Sequence, residues 1–232
     1  MEKKVEFKSA DRKYGGKLFI PKGKGPFPGV IFFHGSGGTG ETHFETAKML
    51  SEHGFLGFAF NYQGVGLSGG RFEEQTITYG IADGVATGTY FTFEPLLDKG
   101  KLGFVGGSFG GFIAATISDL FDIRSMVLVS PAAYSDESWE NQRDADRDLD
   151  KKFEESLSYK KIRKYKGELL VQICEFDDVL PKGMAEKYYY DAKNAGRKEL
   201  YIIKGARHRL SIQPKQKKDS QDKIIDWFLK TL

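Results

Sequence analysis

The sequence predicts an α/β fold, in which a mostly parallel sheet of eight strands is flanked by helices. Short apolar runs alternate with longer amphipathic segments, and from the third run onward the intervening stretches are compatible with helices. A length of 232 residues fits a single domain, residues 1–232, with a large buried core. The predicted strands are Val5–Phe7, Lys17–Ile20, Gly29–Phe33, Phe55–Tyr62, Leu102–Val105, Ser125–Val129, Leu169–Cys174 and Leu200–Ile203.

Two of the predicted helices carry local signals. Thr42 and Glu45 fit a capping box at the start of a helix that ends near Gly54, a residue suited to the left-handed turn beyond a helix end. A later helix has glycine at every fourth position, which would let it approach the sheet closely. These glycines are Gly80, Gly84 and Gly88.

A charged segment after the sixth strand interrupts the alternation. Residues 135–166 are acidic in their first half and basic in their second, and Leu149, Phe153 and Leu157 are spaced to share one helical face. We interpret the segment as a helical insertion. It is either a solvated surface excursion or a cap over the active site.

Composition excludes several classes of protein. A formal charge of +3 is too small for the single-sign field of a nucleic-acid binder. The lone Cys174 excludes an internal disulfide and a multi-cysteine metal site, and it is most simply a small apolar strand residue. Neither a secretion signal nor a membrane span is evident, so we expect a cytoplasmic protein without a membrane partner. The oligomeric state is left open, with a homodimer as one option.

A G-x-S-x-G motif follows the predicted strand Leu102–Val105. Ser108 is its central residue, with Gly106 and Gly110 on either side, and a helix-compatible segment begins directly afterwards. A serine on so sharp a strand-to-helix turn needs small neighbours, and the helix start favours developing negative charge. Ser108 is therefore the predicted nucleophile.

A serine nucleophile needs a base, and the chain offers four histidines. His43 and His53 lie on the predicted first helix and are expected at the surface. His34 closes a strand, where its backbone is expected to matter more than its ring. His208 follows the last predicted strand, which places it at the same sheet edge as Ser108 and makes it the predicted base.

The residue that orients the base is expected at another strand end on this edge. Leu169–Cys174 leads directly to two candidates, Asp177 and Asp178. Both lie between Ser108 and His208 in the chain, as the order Ser, Asp, His requires, and the order alone does not choose between them.

These motifs together resemble the α/β-hydrolase superfamily, and the resemblance covers nearly the whole chain. The segment Phe33-His34-Gly35-Ser36-Gly37-Gly38 is similar to the oxyanion loop of that superfamily. The resemblance implies that the backbone N–H groups of Ser36 and Phe109 bind the oxyanion. It also favours Asp177 over Asp178, although Cys174 stands where a glycine is usual.

Within the superfamily, the chain most resembles small serine esterases, including cinnamoyl and feruloyl esterases, and the dienelactone hydrolase and serine aminopeptidase groups. The resemblance implies a Ser-His-Asp triad that cleaves a small carboxylic ester through an acyl-enzyme, without a cofactor or metal ion. Two alternatives stay open: an amidase or peptidase of the same fold, and a hydrolase-like binding protein without catalytic activity.

Aromatic residues near the predicted site are candidates for substrate binding, with core packing as the alternative. Residues that flank the motifs are Phe33, Tyr62, Phe109 and Phe176, and the insertion adds Tyr134 and Trp139.

Nucleotide binding is a rival interpretation of the glycine-rich segment Gly35–Gly40, which nearly matches a phosphate-binding loop. The match fails at Glu41, where such a loop needs lysine and where a carboxylate would repel phosphate. A dinucleotide site would further want an acidic residue at the end of the next strand, which instead ends in Asn61-Tyr62.

Overall fold

The computed structural model describes residues 1–135 and 152–232, and its main feature is an eight-stranded sheet. The strands are β1 (Glu2–Ser9), β2 (Arg12–Phe19), β3 (Phe27–Phe33), β4 (Leu56–Phe60), β5 (Leu97–Gly107), β6 (Ile123–Val129), β7 (Glu168–Cys174) and β8 (Lys198–Ile203). They lie in the order β1-β2-β4-β3-β5-β6-β7-β8. Strand β2 runs antiparallel to both neighbours, and β4, β3 and β5 to β8 are mutually parallel. The predicted mostly parallel sheet is confirmed.

Both faces of the sheet are apolar, because its central strands are covered by helices on each side. Along β3, Ile31 and Phe33 enter the larger core cluster, whereas Val30 and Phe32 enter the other, as the two-residue period of a strand requires. All four side chains are fully buried. The run of apolar residues in β3 is therefore explained by burial on two faces.

Helices cover the sheet unequally. The helices of the described residues are α1 (Phe44–Glu52), α2 (Ile77–Thr92), α3 (Phe109–Thr116), α4 (Leu157–Ile162), α5 (Met184–Asp191) and α6 (Pro214–Thr231). Buried residues of α2 to α5 belong to the larger core cluster, and those of α1 and α6 belong to the smaller one. The sheet therefore lies between two helical layers.

The glycines of α2 permit close packing, as predicted, but mainly against α3 and the residues beyond it. A Cβ atom at Gly80 would lie 2.5 Å from Cζ of Phe109, and one at Gly84 would lie 2.7 Å from Cγ2 of Ile113. At Gly84 the ring of Phe33 on the sheet is farther away, at 3.5 Å. The glycines of α2 thus allow it to pack closely against α3, the helix that follows the serine motif.

The predicted capping box is wrong, although the end of that helix is correct. A 3-10 turn, Gly40–His43, precedes α1, and the Thr42 hydroxyl donates to the Thr39 carbonyl at 2.9 Å instead of capping the helix. The Glu45 carboxylate reaches Nζ of Lys217 on α6 at 2.6 Å. Gly54 has the expected left-handed conformation, with φ of +92°.

The predicted insertion is described only from residue 152 onward. Its second half forms a short 3-10 turn and α4, and α4 buries Tyr159 and Ile162 in the core, whereas Leu157 is only half-buried. Of the residues expected to share one helical face, Phe153 packs against the core, but it lies in the 3-10 turn and Leu157 begins α4, so the two are not on one helix. Leu149 and any cap formed by residues 136–151 lie outside the described residues.

Within the described part of the chain, none of the helices combines the length and the apolar composition needed to cross a membrane.

Candidate active site

Ser108 stands on a strained turn between β5 and α3. Its φ of +51° lies in the left-handed region that disfavours side chains. A Cβ at Gly106 would lie 2.4 Å from the Gly110 carbonyl oxygen, and one at Gly110 would lie 2.0 Å from the Phe33 carbonyl oxygen. Glycine is thus required on both sides of Ser108, as the motif predicted.

The structure brings Ser108, His208 and Asp177 into one hydrogen-bonded chain. Nε2 of His208 lies 3.0 Å from Oγ of Ser108, and Nδ1 of His208 lies 2.8 Å from Oδ2 of Asp177. Because a carboxylate only accepts, Nδ1 carries the ring proton and Nε2 is left to accept from the serine hydroxyl. The neutral imidazole therefore has the tautomer that a general base needs.

The two adjacent carboxylates contact different groups. Oδ1 of Asp177 accepts from the N–H groups of Val179 and Leu180, at 3.0 and 2.9 Å. Burial would raise the Asp177 pKa, but the hydrogen bonds from His208 and from these two amides outweigh it, and the pKa is lowered. Asp177 is therefore held as a carboxylate.

Asp178 contacts the backbone of the histidine rather than its ring. Oδ1 of Asp178 accepts the His208 N–H at 3.3 Å, and Oδ2 lies 3.5 Å from Nη1 of Arg207. About half of the Asp178 side chain is exposed, at 51%. The half-exposed Asp178 side chain thus holds the backbone of the histidine loop in place.

Ser130 connects the nucleophile turn to the loop that carries Asp177. The Ser108 N–H donates to the Val129 carbonyl at 3.0 Å, and the next residue, Ser130, has φ of +39°. Oγ of Ser130 accepts the Cys174 N–H at 3.1 Å, and the Cys174 carbonyl accepts the Asp177 N–H at 3.2 Å. Residues 69 positions apart in sequence are thus linked through buried Ser130 and the end of β7.

Cys174 is the buried strand residue that the sequence indicated. It closes β7 and packs with Ile203 and Ala206. Burial raises the pKa of its thiol to about 11, so the thiol stays protonated at neutral pH.

The ring of His34 makes hydrogen bonds on both sides of the loop beside Ser108, although its backbone was expected to matter more than its ring. Nδ1 donates to the Gly35 carbonyl at 2.9 Å, and Nε2 accepts the Tyr62 N–H at 3.3 Å. Burial lowers the pKa of His34 to about 3, so the ring is neutral and can serve as donor and acceptor at once. His34 therefore joins the ends of β3 and β4.

The two predicted oxyanion donors lie on either side of the nucleophile. A Cβ at Gly35 would lie 3.5 Å from Cβ of Ser108, which shows how closely this loop approaches the serine. Ser36 follows it and lines the same cleft as Ser108. Phe109 is the first residue of α3, where a backbone N–H has no acceptor within the helix.

The cleft at Ser108 has a volume of about 620 Å³ and extends beyond the three hydrogen-bonded residues. It runs from the glycine-rich loop and the ends of β5 and β6 to the first turns of α1 and α6. Its described lining residues include Ser36, Thr42, His43, Thr46, Val105, Ser108, Val129, Ser130, Tyr134, Val179, His208, Arg209, Leu210, Ser211, Lys217, Ser220, Gln221 and Ile224.

The predicted aromatic substrate contacts are mostly not in this cleft. Tyr134 lines it, with its ring edge-on to Phe112 at 5.0 Å between centroids. Phe33 is a core residue with no exposed surface, because it is enclosed between the sheet and α2. Tyr62 is also buried, against the rings of His34 and Phe109, and lines only a small adjacent space.

Two further aromatic candidates are placed elsewhere. Phe176 is 62% exposed and is not among the residues that line the cleft, because its loop turns it to solvent. Trp139 lies outside the described residues. Phe109, at the base of the nucleophile turn, is fully buried.

His43 differs from the surface position that was expected. It is part of the 3-10 turn before α1, its Nε2 donates to the Phe33 carbonyl at 3.3 Å, and burial lowers its pKa to about 4. His53 is exposed, as expected. No sequence pattern indicated His43, Lys217 or Gln221 as cleft residues, because α1 and α6 are far apart in the chain.

The glycine-rich loop Gly35–Gly38 lies next to Ser108, since a Cβ at Gly35 would lie 3.5 Å from Cβ of Ser108. Gly40 is packed against β4, since a Cβ there would lie 2.5 Å from the Phe60 carbonyl oxygen. Among residues 1–135 and 152–232, no group of three His, Cys, Asp or Glu side chains is placed to hold a metal ion.

Comparison with known proteins supports the same fold. The solved structure of the Pyrococcus furiosus esterase Pf2001 matches all of this chain and 93% of its own, with a TM-score of 0.76 and 21% identity. The acylaminoacyl peptidase of Pyrococcus horikoshii matches all of this chain and 41% of its own, with a TM-score of 0.77 and 21% identity. At this level of identity the structures show the fold alone, and the resemblance to α/β-hydrolases is confirmed.

Sequence comparison identifies the family. The uncharacterized peptidase YuxL of Bacillus subtilis (strain 168) is 26% identical over 231 residues, covering 89% of this chain and 35% of that protein. The chain spans about a third of the length of the curated relatives that it matches. The model of the prolyl oligopeptidase family matches residues 41–232, which is more than half of the chain. The chain therefore belongs to the prolyl oligopeptidase family of serine hydrolases with the α/β-hydrolase fold.

Proposed function

We propose that the protein hydrolyses carboxylic esters through an acyl-enzyme formed on Ser108. The observation that carries the proposal is the hydrogen-bonded chain from Oγ of Ser108 through His208 to Asp177, at 3.0 and 2.8 Å. In this mechanism His208 removes the serine proton during attack on the ester carbonyl and returns it to the leaving alcohol. Asp177 fixes the ring tautomer and stabilises the imidazolium.

The developing oxyanion is assigned to the backbone N–H groups of Ser36 and Phe109. Preorganised amides at a helix start stabilise the negative charge of a tetrahedral intermediate without reorganisation. Water then attacks the acyl-enzyme with His208 again as base, which releases the acid and restores Ser108. No step requires a cofactor, and the cytoplasm stays the expected compartment.

Peptide or amide cleavage is the second candidate, because the family and YuxL are named for peptidases. Cleavage of a peptide near its amino terminus requires recognition of an ammonium group, which a carboxylate in the cleft would supply. Among the described lining residues of the cleft there is no Asp or Glu. This composition disfavours recognition of a free amino terminus. Esters are the first candidate also because an alcohol leaves more easily than an amine.

The test is labelling with a fluorophosphonate followed by peptide mapping, combined with turnover of short 4-nitrophenyl esters. We expect modification at Ser108, and we expect Ser108→Ala to lose both labelling and turnover. Ser68→Ala is the matched control, because the Ser68 hydroxyl donates a hydrogen bond to the Asn61 carbonyl at 2.6 Å.

Three outcomes separate the candidates. Faster cleavage of aminoacyl 4-nitroanilides than of esters would favour the peptidase. Failure to react with any activated ester or amide would favour a binding protein. Labelling of Ser36 in place of Ser108 would overturn the proposed nucleophile.

A further inference from the structure

The cleft continues past Ser108 into a space between two helices, which we call the α1–α6 arm. Thr42, His43 and Thr46 form one wall at the start of α1, and Lys217, Ser220 and Gln221 form the other on α6. Val105, Val129 and Ile224 form an apolar floor. Space of this kind, contiguous with the nucleophile, accommodates one end of a substrate.

Among the residues that the structure describes, the charged side chains that line the cleft are cationic. They are Lys217 and Arg209, and the carboxylates of Asp177 and Glu45 lie next to the lining, paired with His208 and Lys217. His43 adds no charge, because burial lowers its pKa to about 4 and its ring donates to a backbone carbonyl. Cationic side chains along a cleft favour the approach of anions over that of cations.

We infer that the substrate is an ester that carries a carboxylate, separated from the scissile bond by a short apolar chain. The apolar floor of the α1–α6 arm fits the chain, and the two cations fit the carboxylate. This inference rests on the proposed ester hydrolysis and names the substrate class of the same site.

Lys217 is held in position by a carboxylate outside the cleft lining. Its Nζ lies 2.6 Å from Oε2 of Glu45, and the same oxygen accepts from Nε2 of Gln221 at 3.2 Å. Gln221 in turn donates to the Thr46 hydroxyl at 3.0 Å. The network holds the ammonium against Glu45 at the edge of the arm, and Glu45 offsets part of its charge.

Arg209 contributes its charge more directly. Its neighbour Arg207 lies 3.5 Å from the Asp178 carboxylate, and Lys204 lies 2.9 Å from Glu175. Within residues 1–135 and 152–232 no ion pair involves Arg209, an exposed residue that lines the cleft one position after His208. It is therefore placed to meet a carboxylate that approaches Ser108.

The test compares matched esters that differ in charge. The first pair is the mono-4-nitrophenyl ester of adipic acid and the methyl ester of the same compound, with the charge on the acyl side. The second pair is 6-acetoxyhexanoate and its methyl ester, with the charge on the alcohol side. The measured quantity is the ratio of kcat/KM for the anionic ester to that for its neutral partner, at low and high salt.

We expect the ratio to exceed one for at least one pair and to fall at high salt, because salt screens exposed charges. Lys217→Gln and Arg209→Gln should each lower it about two- to fivefold, the range for partly exposed ion pairs. Glu45→Gln should raise it, because the negative charge that offsets Lys217 is then removed. Lys218→Gln is the control, since Lys218 lies on the same helix outside the cleft and pairs with Asp222 at 2.8 Å.

Ratios of one or less for both pairs would overturn the inference. So would a ratio above one that neither Lys217→Gln nor Arg209→Gln lowers in variants with native circular dichroism. In both cases turnover of the neutral esters would still support ester hydrolysis, whereas absence of turnover for every ester would refute the proposed function itself.

Discussion

Replacement of Asp177 by asparagine should reverse the proton arrangement of His208. Oδ1 of residue 177 must keep accepting from the N–H groups of Val179 and Leu180, at 3.0 and 2.9 Å. The amide nitrogen of asparagine is then the group that faces Nδ1 of His208, and it donates where the carboxylate accepted. The ring proton moves to Nε2, which then points at Ser108 and cannot accept the serine proton.

The expected loss is large. Where such a substitution has inverted the tautomer of a serine triad, turnover fell about 10⁴-fold, which corresponds to about 5 kcal/mol of transition-state stabilisation. Oγ of Ser108 stays 3.0 Å from the ring nitrogen, so we expect KM for a short 4-nitrophenyl ester to change little while kcat collapses. Stopped assays at pH 7 to 8 measure both constants.

Asp178→Asn is the matched control. Its amide oxygen can still accept the His208 N–H, which lies 3.3 Å away, and the lost attraction to Arg207 joins two largely exposed groups. Exposed pairs contribute at most about 1 kcal/mol, so kcat should fall less than about fivefold. Both variants should show native circular dichroism. The reasoning is refuted if Asp177→Asn keeps more than a tenth of the activity, or if Asp178→Asn is the more damaged of the two.

Three further predictions concern stability, measured as the free energy of unfolding in urea. Gly80→Ala should lower the free energy of unfolding by about 1–3 kcal/mol, because its Cβ would overlap the Phe109 ring. The control is Gly100→Ala at an exposed position, where the new Cβ has no neighbour closer than 3.6 Å and the change should stay within about 0.5 kcal/mol. Equal effects of the two substitutions would contradict the packing argument. Ser130→Ala leaves the buried Cys174 N–H without its acceptor and should lower the free energy of unfolding by about 1–3 kcal/mol. Ser130→Gly should lower it less, because glycine relieves the strained φ of +39°. The reverse order of the two variants would count against that strain. The pKa of His43 is lowered to about 4 in the folded state, so on acidification the unfolded chain takes up a proton first. This makes the free energy of unfolding fall as the pH drops from about 6.5 to 4. His43→Gln should make that fall less steep, and an unchanged slope would show that His43 does not titrate this way.

Much of the fold could be predicted because periodicity and chain order report it locally. Each predicted strand is present, since runs such as Leu169–Cys174 are apolar enough to be buried on both faces. Ser108 and His208 could be predicted because each follows a strand, and parallel strands present their carboxyl ends at one edge. The same argument left Asp177 and Asp178 open, and only the resemblance to the α/β-hydrolase superfamily favoured Asp177. The structure brings the side chains of Ser108, Asp177 and His208 together, and their catalytic roles stay proposals.

The failures arise where tertiary contacts decide a residue's surroundings. Phe33 was a candidate for the cleft, but the two-residue period of β3 turns its ring into the core. His43 was expected at the surface, yet it lines a cleft together with Lys217 and Gln221 of α6, more than 170 residues later in the chain. Thr42 had the spacing of a cap, but a 3-10 turn started the helical segment earlier. None of these contacts leaves a periodic signal in the sequence.

The strand order has a consequence for the assembly of the protein during synthesis. Strands β3, β4 and β5 lie within the first half of the chain and form the middle of the sheet, whereas His208 follows β8, the last strand and an outer edge. A domain generally folds as a unit, so the sheet is complete only after β8 and His208 have left the ribosome. A nascent chain that ends before β8 therefore holds a serine without its base. Reaction with a fluorophosphonate would begin only when β8 docks, so the onset of labelling would report the final folding step.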